Sequence, residues 1–220
     1  MTRFVTSTSP APPGSLAGAV AEQPGRPAPS TIIGRVDELD ARIDAAFAPF
    51  RGTRAADWAA AVLSNLADYG FIWVVVAAVK ARRPGATRRR AMTALTVAGV
   101  GSFTVNAAVK AVVRRRRPET GPRQDSDAPL LVRSPRSSSF PSGHTLAAFC
   151  TAVVLADGPG ETAAFVGFAT AVALSRVHLQ AHHASDVMGG AIIGTAVGAS
   201  LRRLLTAGSA DGSGPGRGTA

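Results

Sequence analysis

The 220-residue chain has one cysteine, Cys150, so it can form neither an internal disulfide nor a multi-cysteine zinc site. It is also sparing with charge: only 17% of residues are charged, although Lys and Arg outnumber Asp and Glu by 24 to 14, for a net charge of +10. Aromatic residues make up 5% and do not interleave with the arginine runs, which argues against a base-stacking nucleic-acid binder. The first 31 residues lack the shape of a secretory leader, because their one apolar run, Leu16 to Ala21, is shorter than a typical leader core. What is plentiful is apolar side chain. The hydrophobic set is 46% and the mean hydropathy is +0.16, too apolar for a disordered polycation. These residues fall in blocks rather than at amphipathic spacing, so the basic balance points to an anionic membrane surface.

The expected organisation is a Pro/Ser/Ala-rich disordered arm over 1–31, a membrane domain over 32–207 and a Gly/Ser-rich flexible tail over 208–220. The domain opens with a candidate interfacial helix. Val36, Leu39, Ile43 and Phe47 share one stripe, charged residues cover the rest, and Pro49 ends or bends it. Five apolar blocks follow, at about 55–79, 92–113, 144–157, 161–177 and 186–206. The first contains WAAAVLSNLADYGFIWVVVAAV, in which Asp68 is the one charge. Blocks of about 20 apolar residues can cross a bilayer as helices. The third is shorter and must recruit flanking residues or sit in thinned bilayer. The predicted fold is therefore all-α, an integral membrane helical bundle of about five transmembrane helices plus an N-terminal amphipathic helix. Basic residues crowd both the 80–91 connection and the 114–143 loop, so charge alone does not orient the bundle. The 114–143 loop is long and holds five prolines, a length that usually signals function in a small domain.

Five spans put the 114–143 and 178–185 connections on one side, where three polar clusters meet. Lys110 and Arg117 are seven residues apart, almost two helical turns, so both cations point the same way before Pro118 stops the helix. Pro141-Ser142-Gly143-His144 opens the third block. Ser142 suits an N-cap, Gly143 admits close approach of a ligand, and the first-turn N–H groups suit an anion beside His144. Ser175-Arg176 ends the fourth block and is followed by His182 and Asp186, four residues apart and hence on one helical face. An Asp accepting from one imidazole nitrogen would fix the tautomer and leave the other nitrogen to attack, although His178 and His183 are also at hand. His178, His182 and Asp186 have a spacing that could instead hold zinc, a site with no use for the neighbouring Lys110, Arg117 and Arg176.

Together the clusters read K-x6-RP at 110–118, PSGH at 141–144 and SR-x5-H-x3-D at 175–186. This resembles the three-part signature of the type 2 phosphatidic acid phosphatase superfamily, which includes lipid phosphate phosphatases, bacterial polyprenyl diphosphate phosphatases and vanadium haloperoxidases. The resemblance covers about 58–206. It implies a metal-independent, cofactor-free phosphatase of a lipid-linked phosphate monoester or diphosphate. In that scheme His182 is the nucleophile and forms a phosphohistidine, Asp186 orients it, and His144 is the general acid and then base. Lys110, Arg117 and Arg176 hold the phosphoryl oxygens, with Ser142 and the Gly143 N–H assisting. The implied partners are the membrane and a lipid phosphate, with no nucleic acid. The implied location is a bacterial plasma membrane, with the site on the extracytoplasmic face. Polyprenyl diphosphate, phosphatidic acid, phosphatidylglycerophosphate and a polyprenyl-phosphoryl sugar phosphate are the substrate candidates. Two other readings are a non-catalytic lipid-headgroup-binding membrane protein and a vanadate-dependent haloperoxidase.

Overall fold

The computed structural model describes residues 31–67, 70–82, 86–118 and 138–211, with the side chains of 86–90 and 208–211 excepted. The expected N-terminal arm, most of the 114–143 loop and the last residues of the C-terminal tail lie outside the described residues. Every described element is helical: α1 (Ile32–Phe47), a 3-10 turn (Ala48–Phe50), α2 (Arg54–Ala67), α3 (Phe71–Lys80), α4 (Ala86–Val112), α5 (Gly143–Leu155), α6 (Pro159–His178) and α7 (Ala184–Asp211). The chain is an all-α integral membrane bundle.

All five apolar blocks become helix, but the first becomes two. α2 and α3 meet at an angle of 62°, and α3 starts after Gly70, whose φ of 70° is left-handed and suits a residue without a Cβ. Among the described residues, two helices are long and apolar enough to cross a bilayer, α4 over Ala91–Val112 and α7 over Ala184–Ala207; the bent α2–α3 pair makes a third if counted as one span. α5 has 13 residues. At about 1.5 Å per residue it is roughly 20 Å long, against the ~30 Å of a hydrocarbon core.

α5 lies inside the bundle, and its most extensive partner is α7. The reason is a glycine stripe on α7 with helical spacing: Gly190, Gly194 and Gly198. A Cβ at Gly190 would stand 2.8 Å from the Ser142 carbonyl, one at Gly198 would stand 2.7 Å from the Cys150 carbonyl, and one at Gly194 would collide with the Leu146 carbonyl. The backbones therefore meet where side chains would normally separate them, a packing common between membrane helices. The core beside this contact holds Leu155, Val172 and Trp73, whose ring takes Phe165 and Phe168 edge-on at 5.7 Å each. At the end of the bundle where α3 and α5 finish, buried Lys80 donates to the Leu155 carbonyl at 2.7 Å and pairs with Asp157 at 2.9 Å and with Glu161. The site lies at the opposite end.

α1 starts at Thr31, whose hydroxyl accepts from the Gly34 N–H at 3.0 Å. Its inward face differs from the expected apolar stripe. Ile43 and Phe47 do pack inward, but Leu39 is 41% exposed, while Asp40 is only 6% exposed. A carboxylate occupies the inner face because the loop and helix ends below it offer donors. Asp40 accepts from the Ser185 N–H, the Ser185 hydroxyl and Arg115 Nη2, each at 2.7 Å.

Candidate active site

Three helix ends converge: the C-terminus of α4, the N-terminus of α5, and the turn between α6 and α7. The turn is tight. Gln180 takes a left-handed φ of 52°, and the Arg176 carbonyl accepts from the Ala181 and His182 N–H groups at 3.0 and 3.3 Å. Arg51 completes this end of α6 by donating to the Val177 and His178 carbonyls at 3.3 and 3.1 Å, which satisfies terminal acceptors that the helix leaves unpaired. The result sets Arg176 and His182 side by side, each 3% exposed.

Between these ends lies a cavity of about 480 Å³. Lys110, Arg117, Gly143, His144, Arg176 and His182 all line it, so six of the eight residues singled out in the sequence share one wall. Ser142 and Asp186 stand behind that wall, both fully buried. The Ser142 N–H donates to the Asp186 carbonyl at 3.0 Å, and its hydroxyl accepts from Thr145 Oγ1 at 3.0 Å. Ser142 thus joins the start of α5 to the start of α7. The remaining lining is largely apolar and includes Trp73, Val74, Leu95 and Phe103.

The imidazole of His182 is held at both nitrogens. Nδ1 lies 2.9 Å from the Ser139 carbonyl, an acceptor only, so Nδ1 carries the proton. Nε2 then presents its lone pair, which receives Arg117 Nη1 at 3.2 Å; the same nitrogen of Arg117 donates to the Ala181 carbonyl at 2.7 Å. Burial lowers the imidazole pKa from its ordinary 6.5 to about 4; Asp186 opposes the shift, and the Arg117 and Arg176 guanidiniums add to it. His182 is therefore a neutral imidazole near neutral pH, the form in which a nitrogen can attack. Burial also lowers the pKa of Arg117, with Asp186 opposing, yet a guanidinium stays charged.

Asp186 does not make the short bond to His182 that the four-residue spacing suggested, since its Oδ2 is 3.8 Å from Nδ1. That oxygen instead accepts from the Ser139 hydroxyl and from the His183 N–H at 2.9 Å, while Oδ1 takes Arg115 Nη1 at 2.8 Å. The carboxylate acts one residue removed: it fixes Ser139, and the Ser139 carbonyl fixes the imidazole. Arg115 bridges Asp186 and Asp40; burial works against its charge, but the two carboxylates outweigh it and raise its pKa. Arg176 donates to the Ser64 hydroxyl on α2.

The other histidines separate cleanly. His178 Nε2 lies 2.7 Å from Asp57 Oδ1, and its ring meets Phe47 edge-on at 6.3 Å, so it ties α6 to α2 and does not converge with His182 and Asp186 as a zinc set would. His183 contributes its backbone N–H to Asp186.

Sequence reasoning missed three positioning groups. Arg115 lies in a run of four arginines and cannot be told from its neighbours there. Ser139 lies in a run of serines. Asp40 did have a signal, because Asp37, Asp40 and Asp44 recur at helical spacing on one face.

The PAP2 superfamily sequence model matches residues 90–208, more than half of the chain and all three motifs. The chain belongs to the PAP2 superfamily. It is an enzyme, a phosphatase of that superfamily. It is 34% identical over 134 residues to decaprenylphosphoryl-5-phosphoribose phosphatase of Mycolicibacterium smegmatis, covering 60% of this chain and 69% of that protein. The protein so named in Mycobacterium tuberculosis is 32% identical over 143 residues, covering 62% and 73%. The fold is shared with the crystal structure of a transmembrane PAP2-type phosphatidylglycerolphosphate phosphatase from Bacillus subtilis, at a TM-score of 0.60 and 22% identity over 86% of this chain and 92% of the other.

Proposed function

We propose that this PAP2 phosphatase removes the terminal phosphate of a lipid-linked phosphate through a covalent phosphohistidine on His182. The observation that carries the reading is one cavity with a cationic, histidine-bearing end and an apolar remainder. A phosphate fits between Lys110, Arg117 and Arg176, and a lipid chain fits against Trp73, Val74, Leu95 and Phe103. A phosphate arriving in the cradle draws the Arg117 guanidinium from Nε2 onto its oxygens, which uncovers the lone pair. Nε2 then attacks phosphorus; the P–N bond forms, the P–O ester bond breaks, and His144 gives a proton to the departing oxygen. In the second step water attacks the phosphohistidine, His144 takes the water's proton, and the P–N bond breaks to release phosphate. The three cations stabilise the charge that gathers on the phosphoryl oxygens in both transition states.

Among substrates, a polyprenyl-phosphoryl sugar phosphate is favoured by the names of the mycobacterial relatives. The bacterial sources of the relatives support a plasma-membrane location, and the family resemblance supports a site on the extracytoplasmic face.

The test is phosphate release by the detergent-purified protein, with EDTA present, from a panel of polyprenyl-phosphoryl sugar phosphate, phosphatidylglycerophosphate, phosphatidic acid and polyprenyl diphosphate. Release that disappears in His182→Ala is expected. Headgroup binding by a folded protein with no release from any lipid would sink the reading and leave a binding protein.

A further inference from the structure

We propose that Asn106 reads a hydroxyl group on the alcohol that carries the scissile phosphate, and so selects lipid phosphates with a hydroxyl-bearing spacer. This inference rests on the phosphatase reading above and sharpens its substrate class. Asn106 lies on α4 one turn before Lys110, and both line the cavity. Its Oδ1 is buried and has no hydrogen-bond partner among the described groups. A buried carbonyl oxygen left unpaired is costly, so the position favours a ligand that brings a donor. The amide also stands over the start of α5: a Cβ built on Gly143 would lie 3.1 Å from Asn106 Nδ2. Asn106 therefore stands against Gly143, the residue before His144, and it lines the same cavity as His144, the group proposed to protonate the leaving oxygen.

The order of side chains along α4 sets what must lie there. Moving away from the phosphate end, the lining face runs Lys110, Asn106, Phe103, Ser102, Gly99 and Leu95. The phosphoryl group belongs with Lys110, and the hydrocarbon chain belongs with Phe103 and Leu95. Whatever joins them passes Asn106, about 6 Å along the axis from Lys110. The described cations of the cavity, Lys110, Arg117 and Arg176, gather at the phosphate end, and Asn106 is uncharged. A second phosphate at this level would meet no charge of its own. A sugar or glycerol spacer would meet an acceptor for its hydroxyl, whereas a diacylglycerol joined directly to the phosphate would leave that acceptor unpaired.

The experiment compares kcat/KM for phosphatidylglycerophosphate, whose glycerol spacer bears a hydroxyl, with its spacer-deoxy analogue and with phosphatidic acid. The wild type is expected to prefer the hydroxyl-bearing lipid over the deoxy analogue by roughly tenfold, the worth of one such bond. Asn106→Leu is expected to bring that ratio close to one. Thr104→Ala, on the exposed face of the same helix and bonded to its own Val100 carbonyl, is expected to preserve it. Equal wild-type rates on the hydroxyl and deoxy lipids would overturn the inference and leave the phosphatase reading standing, as would a ratio unchanged by Asn106→Leu. Because the deoxy comparison uses the unmodified protein, equal rates would overturn the inference even if Asn106→Leu fails to fold, and Asn106→Asp, which keeps an acceptor in the same place, is expected to retain the preference that Asn106→Leu loses. Hydrolysis of none of the three lipids and of no polyprenyl-phosphoryl sugar phosphate would overturn both.

Discussion

At His182 two hydrogen bonds divide the work of one imidazole. The Ser139 carbonyl holds the proton on Nδ1, and Arg117 covers the lone pair on Nε2, from which the proposed mechanism has a phosphate draw it away. Because the fold prefers the neutral ring, His182 adds stability that is full above pH 6.5 and is lost as the pH falls through about 4. A titration of histidine ring carbons by NMR is expected to show one signal moving near pH 4, and that signal should be the one missing from His182→Ala. Movement of the missing signal near 6.5 would refute the buried, cation-flanked environment. His182 and His183 also make separable predictions. His182→Ala is expected to lower kcat by about a thousandfold or more, as loss of a nucleophile does. His183→Ala is expected to stay within roughly threefold of the wild type, because its contribution to Asp186 is a backbone N–H that alanine keeps. Phosphate-release kinetics on the two variants checks both, and the reverse order would contradict the assignment of the nucleophile.

At the scale of elements, α1 is a strut rather than a passenger on the membrane surface. Through Asp40 it holds the start of α7 and Arg115, and through Arg115 it reaches Asp186. Removing a buried carboxylate leaves its partners unsatisfied, so Asp40→Ala is expected to lower stability by about 2 kcal/mol or more. Thermal unfolding in detergent measures this, and an unchanged midpoint would show that the strut carries no load. The α5–α7 contact is a second device of this kind. Gly194→Val would force the backbones apart at Leu146, with an expected loss on the order of 1–3 kcal/mol and a displaced His144. Most helices were legible from the sequence because apolar blocks bounded by Pro, Gly and arginine runs are strong signals: α6 and α7 fall close to the expected limits. α4, by contrast, ends at Val112, so Arg117 reaches the cavity from the non-helical segment that follows and not from the helix that Pro118 was expected to stop. The break after α2 was not legible, since WAAAVLSNLADYGFIW reads as one apolar run and Gly70 alone hints at the turn. Nor was the inward face of α1, where tertiary partners for Asp40 outweighed the apolar pattern.

For the molecule as a whole, the three motifs announced the candidate site because phosphate chemistry needs particular side chains at helix ends, and such residues stand out between apolar blocks. The structure adds which of them face the cavity. Lys110, Arg117, Gly143, His144, Arg176 and His182 do, while Ser142 and Asp186 brace the wall from behind. That division could not be read from spacing, because Asp186 lies four residues from His182 whether or not its oxygen reaches the ring. The bundle thereby places a cationic, histidine-bearing cluster at one end of a cavity that is otherwise largely apolar, an arrangement suited to a phosphate carried on a lipid. The central claim is that the phosphoryl group passes through His182. The most direct measurement is a rapid-quench reaction with lipid labelled in its terminal phosphate, followed by recovery of the protein and peptide mapping. The account predicts protein-bound label that is stable in alkali, labile in acid, located on His182 and absent from His182→Ala. Turnover at full rate with no label on the protein, or with label on another residue, would contradict it.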